Sequence, residues 1–265
     1  MQTDQAIIED TALDADYGDM TLEERLAHLT RGRTNAVFTT SLGIEDQVLT
    51  AALANAVSSV RIVTLETGRL FDETIALIER TEARFGIAIE RFRPDPGQLE
   101  DFIGRFGING FYESVEARHA CCGVRKLEPL ARALHAADLW ITGLRRGQSG
   151  NRSAVPFVEW DPSRGLFKAN PLADWDIDRI GAYADDHAVP INPLHDRGYP
   201  SIGCAPCTRA IKPGEDERAG RWWWENDDKR ECGLHVVKAA TSRKLDPPQP
   251  ASLQSATPQP ETENV

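Results

Sequence analysis

Two alternating patterns of apolar residues run through the first half of this chain. Stretches of five or six mostly apolar residues at 36–40, 60–65, 87–92 and 138–142 predict buried strands, while 44–57, 71–85 and 124–136 between them predict helices. A first helix is expected at Thr21, where Thr21-Leu22-Glu23-Glu24 has the capping-box pattern and Leu22, Leu26 and Leu29 share one face. Short strands alternating with longer helices predict an α/β fold, a parallel sheet with helices on both faces. Beyond Gly143 the pattern loosens. Residues 155–160 and 165–169 predict a hairpin across 161–165, and a helix is expected over 176–187, capped by Asp174 or Asp176. Residues 190–214, rich in Pro and Gly, read as an ordered loop.

The ends differ from the middle. Residues 1–19 form an acidic leader without Lys or Arg, expected to be weakly ordered, and 246–265 are a Pro/Gln/Ser/Thr-rich stretch expected to be disordered. That leaves one α/β domain over 20–230 and a mobile tail over 231–245. The 265 residues carry a formal net charge of −11, which argues against a nucleic-acid-binding surface but leaves room for a basic pocket. With no secretory signal, no apolar run long enough for a membrane span and five cysteines, an odd number, the chain reads as cytoplasmic.

The cysteines divide four plus one. Cys121-Cys122 and Cys204-Ala205-Pro206-Cys207 supply four thiols, a full shell for a metal or an iron–sulfur cluster. An adjacent pair is unlike the spaced pairs of zinc sites and favours a [4Fe–4S] cluster, provided the backbone bends around it. Lys126, about one helical turn past Cys122, is placed to offset a cluster's negative charge. Cys232 stands apart in Glu231-Cys232-Gly233-Leu234-His235, after a segment too polar to be core, and reads as an exposed nucleophile. Three turns follow predicted strands at the edge where open α/β sheets bind ligands: Thr40-Ser41-Leu42-Gly43, Leu65-Glu66-Thr67-Gly68 and Thr142-Gly143. Their backbone N–H groups would be open to a phosphate. Arg145, Arg146 and Arg152 fall in one loop, and Arg218 and Arg221 would share a helix face, so both groups are candidates for an anion pocket.

Taken together, Cys121-Cys122-Gly123-Val124-Arg125-Lys126, Trp140-Ile141-Thr142-Gly143, the stretch 192–208, Gly220-Arg221-Trp222-Trp223 and Glu231-Cys232-Gly233-Leu234-His235 resemble the assimilatory adenylyl-sulfate (APS) reductases of the PAPS reductase family. The likeness spans about 20–238, with the motifs in the family's order. It implies a PP-loop type, adenine-nucleotide alpha-hydrolase-like fold, a [4Fe–4S] cluster on Cys121, Cys122, Cys204 and Cys207, and Cys232 as catalytic nucleophile. It further implies that Ser41, Gly43, Leu65 and Gly143 cradle the adenylate and that Lys126, Arg152, Arg218 and Arg221 hold the phosphosulfate. Two departures stand out. The turn 41–46 lacks the glycine pair of the related ATP-pyrophosphatase loop, and Leu65-Glu66-Thr67-Gly68 has Glu where the family usually has Asp. His119, just before the cysteine pair, is a weaker candidate.

The implied reaction has Cys232 attack the sulfur of adenosine 5′-phosphosulfate and displace AMP, after which thioredoxin (or glutaredoxin) releases sulfite from the cysteine S-sulfonate. Rival readings are a reductase of the 3′-phosphorylated nucleotide, a Cys₄-zinc enzyme that modifies RNA with ATP, and a non-enzymatic iron–sulfur sensor. Association into a homo-oligomer is left open.

Overall fold

A computed structural model describes residues 17–57 and 59–225. Cys232, His235, the tail 231–245 and the stretch 246–265 lie outside the described residues, as does most of the leader. Within that leader, Tyr17–Asp19 form a 3-10 turn, and Tyr17 is buried with its ring 5.3 Å from that of Phe157.

The elements in order are α1 (Leu22–Thr30), β1 (Ala36–Thr40), α2 (Ile44–Ala56), β2 (Arg61–Leu65), α3 (Asp72–Phe85), β3 (Glu90–Phe92) and α4 (Pro96–Phe106). Then follow α5 (Val115–Cys122), α6 (Glu128–Ala133), β4 (Leu139–Ile141), β5 (Val158–Asp161), β6 (Leu166–Ala169) and α7 (Ile177–Asp186). The strands form one sheet in the order β3-β2-β1-β4-β6-β5. Val37 of β1 pairs in parallel with Arg61 on one side and Trp140 on the other. Because successive strand side chains point to opposite faces, β1 feeds both layers. Ala36 and Phe38 pack with α1, α2, α3 and α7, whereas Val37, Val63 and Trp140 pack with Leu130 and Ala133 of α6. Helices therefore cover both faces, as the pattern predicts.

The local signals explain the boundaries. Thr21 and Glu24 close the capping box on α1. Asp176 caps α7, accepting from the Arg179 N–H at 2.7 Å, and Asp174 is instead held by the buried Arg25 guanidinium at 2.5 and 2.9 Å. No helix of the described residues is long and apolar enough to cross a membrane.

The expected hairpin forms and joins the sheet: β5 runs antiparallel to β6 across a short turn that allows no crossover, while β6 is parallel to β4, so the mostly parallel sheet carries one antiparallel edge strand. Three features depart from the expected pattern. The strand expected over 87–92 is ordered as β3 only over its last three residues, at the sheet's edge. The apolar pattern assigns no helix to 96–106, yet α4 forms there, with Asp95 capping the Gln98 N–H at 3.0 Å and Pro96 in its first turn. Finally, the helix expected over 124–136 is interrupted. A π-helical turn, Gly123–Leu127, separates α5 from α6. Pro129 lacks an N–H and its ring crowds the carbonyl four residues back, that of Arg125, and widening the turn there relieves the clash.

Candidate active site

Strand order reverses between β1 and β4, because the chain builds outward through β2 and β3 on one side and through β6 and β5 on the other. Loops leaving the carboxyl ends of adjacent strands diverge at such a point and leave a crevice. A cavity of about 200 Å³ opens there. Ser41, Gly43, Leu65, Lys126, Gly143, Arg152, Arg218 and Arg221, scattered over 180 positions of sequence, all line it.

The first wall is the turn after β1. Leu42 is buried with φ +62°, a left-handed conformation that a bulky residue rarely adopts, and its N–H bonds to Thr40 Oγ1 at 3.0 Å. The turn's polarity differs from the expectation. Ser41 donates its N–H and its hydroxyl to Asp46 Oδ2, both at 2.6 Å, so that N–H is not open to a phosphate. With Glu45 and Asp46 in the first turn of α2, this end of the cavity is acidic and suits the hydroxyls and amine of a nucleoside better than an anion. Burial pushes the Asp46 carboxyl up to about 6; the two bonds from Ser41 oppose that rise, Glu45 adds to it and Arg152 counters it. Gly143 passes directly over Asp46, and any side chain there would overlap the Asp46 carboxylate.

The arginines separate into two kinds. Arg145 is buried and donates to Glu45 Oε1 at 2.7 and 2.9 Å, and Arg146 donates to the Val155 carbonyl at 2.8 Å and stacks on Phe157. Neither lines the cavity, so these two members of the expected basic loop hold its shape. Arg152 does line it, oriented by Gln148 Oε1 at 2.5 Å. Arg218 and Arg221 are not on a helix. They are joined by a turn in which the Arg221 N–H bonds to the Arg218 carbonyl at 2.9 Å, and Arg221 also bridges to Thr208. Turn geometry, not helical periodicity, brings both into the cavity.

The cysteines form the adjoining site. Cys121 and Cys122 end α5 and the chain then widens into the π turn, which is the bend the adjacent pair requires. Cys204 and Cys207 sit in a tight turn with the Cys207 N–H on the Cys204 carbonyl at 2.9 Å. All four are buried and line one small pocket of about 20 Å³ with Arg69, Arg118, Arg125 and Lys126. The loop after β2 ties the pairs together. Thr67 Oγ1 lies 3.3 Å from Cys204 Sγ, the Thr67 carbonyl accepts from Arg125 at 2.7 Å, and the Arg69 carbonyl accepts from the Ala205 N–H at 2.7 Å. Burial raises the Cys121 thiol, and burial together with the neighbouring Cys204 pushes Cys207 up to about 12, only partly offset by Lys126 and Arg221.

Lys126, Cys204 and Trp222 line both cavities, so the two share a wall. Trp222 is buried with φ +45°, and its ring lies 4.8 Å from the guanidinium of Arg118 and 4.8 Å from that of Arg221. Its Nε1 has no hydrogen-bond acceptor among the described residues. Arg118 also pairs with Glu225 at 2.6 Å, both nearly fully buried. Arg118, Arg125, Thr67 and Trp222 are not among the site residues expected from the sequence. For the arginines a signal exists: 118, 121, 122 and 125 fall at helical spacing on one face. His119 is exposed and lines neither cavity. Glu66 is a turn former, accepting the Gly68 N–H at 2.8 Å and Arg93 at 3.1 Å.

Four soft sulfur donors around one small pocket, bordered by cationic side chains and by an indole N–H that finds no acceptor among the described residues, fit the donor chemistry of an iron–sulfur cluster. Among the described residues, no group of three His, Cys, Asp or Glu side chains closes on the position of a single metal ion. The fit therefore rests on the pocket's lining, four buried thiols with Arg69, Arg118, Arg125 and Lys126 around them.

Residues 35–210 match the phosphoadenosine phosphosulfate reductase domain. An adenosine 5′-phosphosulfate reductase of Sinorhizobium fredii (strain NBRC 101917 / NGR234) is 63% identical over 242 residues, covering 91% of this chain and 96% of that protein. A protein of the same name from Allochromatium vinosum is 53% identical over 229 residues, 86% of this chain and 87% of its own. Among solved structures, a phosphoadenylyl-sulfate reductase from Candida auris, determined as a phosphate complex, superposes with a TM-score of 0.65 at 26% identity. That match covers 76% of this chain and 95% of the Candida protein.

Proposed function

The chain belongs to the phosphoadenosine phosphosulfate reductase domain family, with its PP-loop type of α/β fold, and from that premise we infer that it is an adenosine 5′-phosphosulfate reductase of assimilatory sulfate reduction. One observation carries the reading: a single cavity at the strand-order reversal gathers all eight residues that the resemblance assigns to the substrate, and it shares a wall with the four-cysteine pocket.

The acidic end, with Ser41, Gly43, Leu65 and Gly143, takes the adenosine. Lys126, Arg152, Arg218 and Arg221 take the phosphosulfate, where guanidinium forks match its oxygens. Glu225, at the end of the described chain, is seven residues before Cys232 and is anchored through Arg118 beside the shared wall. Cys232 attacks the sulfur as a thiolate. An Sγ–S bond forms, the S–O bond to the phosphate breaks, and AMP leaves with the electron pair. The basic residues neutralise charge gathering on that phosphate, so no strong general acid is required. A protein dithiol, thioredoxin or glutaredoxin, then releases sulfite.

Cys121, Cys122, Cys204 and Cys207 would hold a [4Fe–4S] cluster, which when bound supplies a scaffold and a fixed charge rather than electrons. Lys126, in both walls, would stand between that charge and the substrate end. The thiol chemistry suits the cytoplasm.

Incubation with adenosine 5′-phosphosulfate in the absence of thiols is expected to add one sulfonate mass to the peptide containing Cys232, with AMP released in equal amount. Sulfite release by Cys232→Ser at the wild-type rate would overturn the mechanism. Colourless, iron-free protein from an anaerobic preparation would overturn the cluster.

A further inference from the structure

Most large apolar side chains that stand exposed among the described residues fall on two stretches, 108–115 and 222–224, which reach the cysteine pocket through Phe111 and Trp222. Ile108, Tyr112 and Val115 lie on the connection from α4 into α5, and Trp223 follows the shared-wall Trp222; Ile75 and Ile177 belong to α3 and α7. Ring contacts make the aromatic part continuous. Tyr112 lies 6.5 Å from Trp223 and 4.5 Å from Trp224, the two tryptophans are 4.8 Å apart, and Phe111 backs Trp224 at 6.3 Å. The patch is braced from beneath, since Tyr112 Oη donates to the Pro206 carbonyl at 2.6 Å, inside the Cys204–Cys207 turn. Its connection is short and capped at the start of α5 by Ser114, so the aromatic face is presented on a stiff support. An apolar patch held rigidly in water is the usual mark of a docking surface.

Resting on the function proposed above, we propose that this aromatic face docks the protein dithiol that reduces Cys232. Two features select that occupant. The chain leaves the patch at Trp224-Glu225, and Cys232 follows seven residues later, a tether that spans at most about 25 Å. A partner seated on the patch therefore has the sulfonated sulfur within reach. Next, the adjoining segment Asn226-Asp227-Asp228-Lys229-Arg230-Glu231 is wholly polar and offers no apolar group to cover the rings, which leaves them to a partner with an apolar face around its dithiol. Rigid aromatic anchors lose little side-chain entropy on contact, which suits a complex that forms and dissociates at every turnover.

On this face the chemistry runs as follows. The partner's thiolate attacks Cys232 Sγ; the disulfide forms as the Sγ–SO₃ bond breaks, and sulfite takes the electron pair. The partner's second thiol then displaces Cys232 as a thiol, leaving the partner oxidised by two electrons as its disulfide.

The test uses the full chain, prepared anaerobically, with Trp223→Ser and Ile108→Ser singly and combined, and with thioredoxin as the protein donor. Sulfonation of Cys232 without thiols and sulfite release by dithiothreitol are expected at wild-type rates. The thioredoxin concentration for half-maximal rate should rise tenfold or more in the double variant. An unchanged thioredoxin dependence overturns the proposal. So does a parallel loss with dithiothreitol, slowed sulfonation (the patch then seats the chain's own tail) or a change in oligomeric state (a second copy then covers it). If the wild-type chain forms no sulfonate, the failure belongs to the proposed function instead.

Discussion

Asp46 is a carboxyl group in a place that disfavours charge. It is packed under Gly143, next to Glu45, and receives both donors of Ser41. Because burial raises it to about 6, its stabilising contribution is complete below the ordinary carboxylate range and is lost as pH rises through about 6. Asp46→Asn has no such dependence. The variant should therefore gain on the wild type by roughly 2–3 kcal/mol between pH 4 and pH 7, a figure set by the size of the shift. Urea unfolding of both proteins at the two pH values checks this, and a difference independent of pH would rule out Asp46 as the titrating group. Residue identity alone reveals little of this. Ser41 and Asp46 are five positions apart, and their pairing becomes visible only when the turn closes.

At the scale of elements, the site depends on segments that interlock without regular secondary structure. Arg221 lies against Gly203, where any side chain would overlap its guanidinium. The obstacle is the far end of a flexible side chain, so Gly203→Ala should displace Arg221 without unfolding the loop. We expect the KM for adenosine 5′-phosphosulfate to rise about tenfold, the equivalent of one charge-assisted hydrogen bond, with the melting temperature within about 2 °C of wild type. Steady-state kinetics beside a thermal melt separate the two effects, and a large fall in melting temperature with unchanged KM would show that the contact serves packing alone. The strands and main helices were legible from apolar spacing because burial on one face leaves a period in the sequence. The π turn and the arginine-bearing turn were not, since Pro129 and the 218–221 bend act through backbone geometry that leaves no period.

For the whole molecule, the cavity is a junction. Its walls come from the ends of β1, β2 and β4, from the turn after α5, and from the loops over 200–222. A ligand bound there contacts segments that meet only in the folded chain, so binding is linked to global stability. AMP at about 100 times its dissociation constant should stabilise the chain by about 2.7 kcal/mol and raise the melting temperature by roughly 5–10 °C. Differential scanning fluorimetry with AMP tests this. Gly143→Ala, which would crowd the Asp46 carboxylate, should abolish the shift.

The sequence by itself determined the α/β class, the division of the cysteines into four and one, and the family, because apolar period and contiguous motifs are local properties of a chain. It also named the residues that meet in the cavity, though by resemblance rather than by geometry. Only the tertiary structure decided which arginines face the cavity and which brace it, that the Ser41 turn serves a carboxylate and not a phosphate, and that the sulfur pocket and the larger cavity share the wall of Lys126, Cys204 and Trp222. Those facts are distances between residues far apart in sequence. Such distances are set by how the strands order and where the chain bends, which no single stretch of residues encodes.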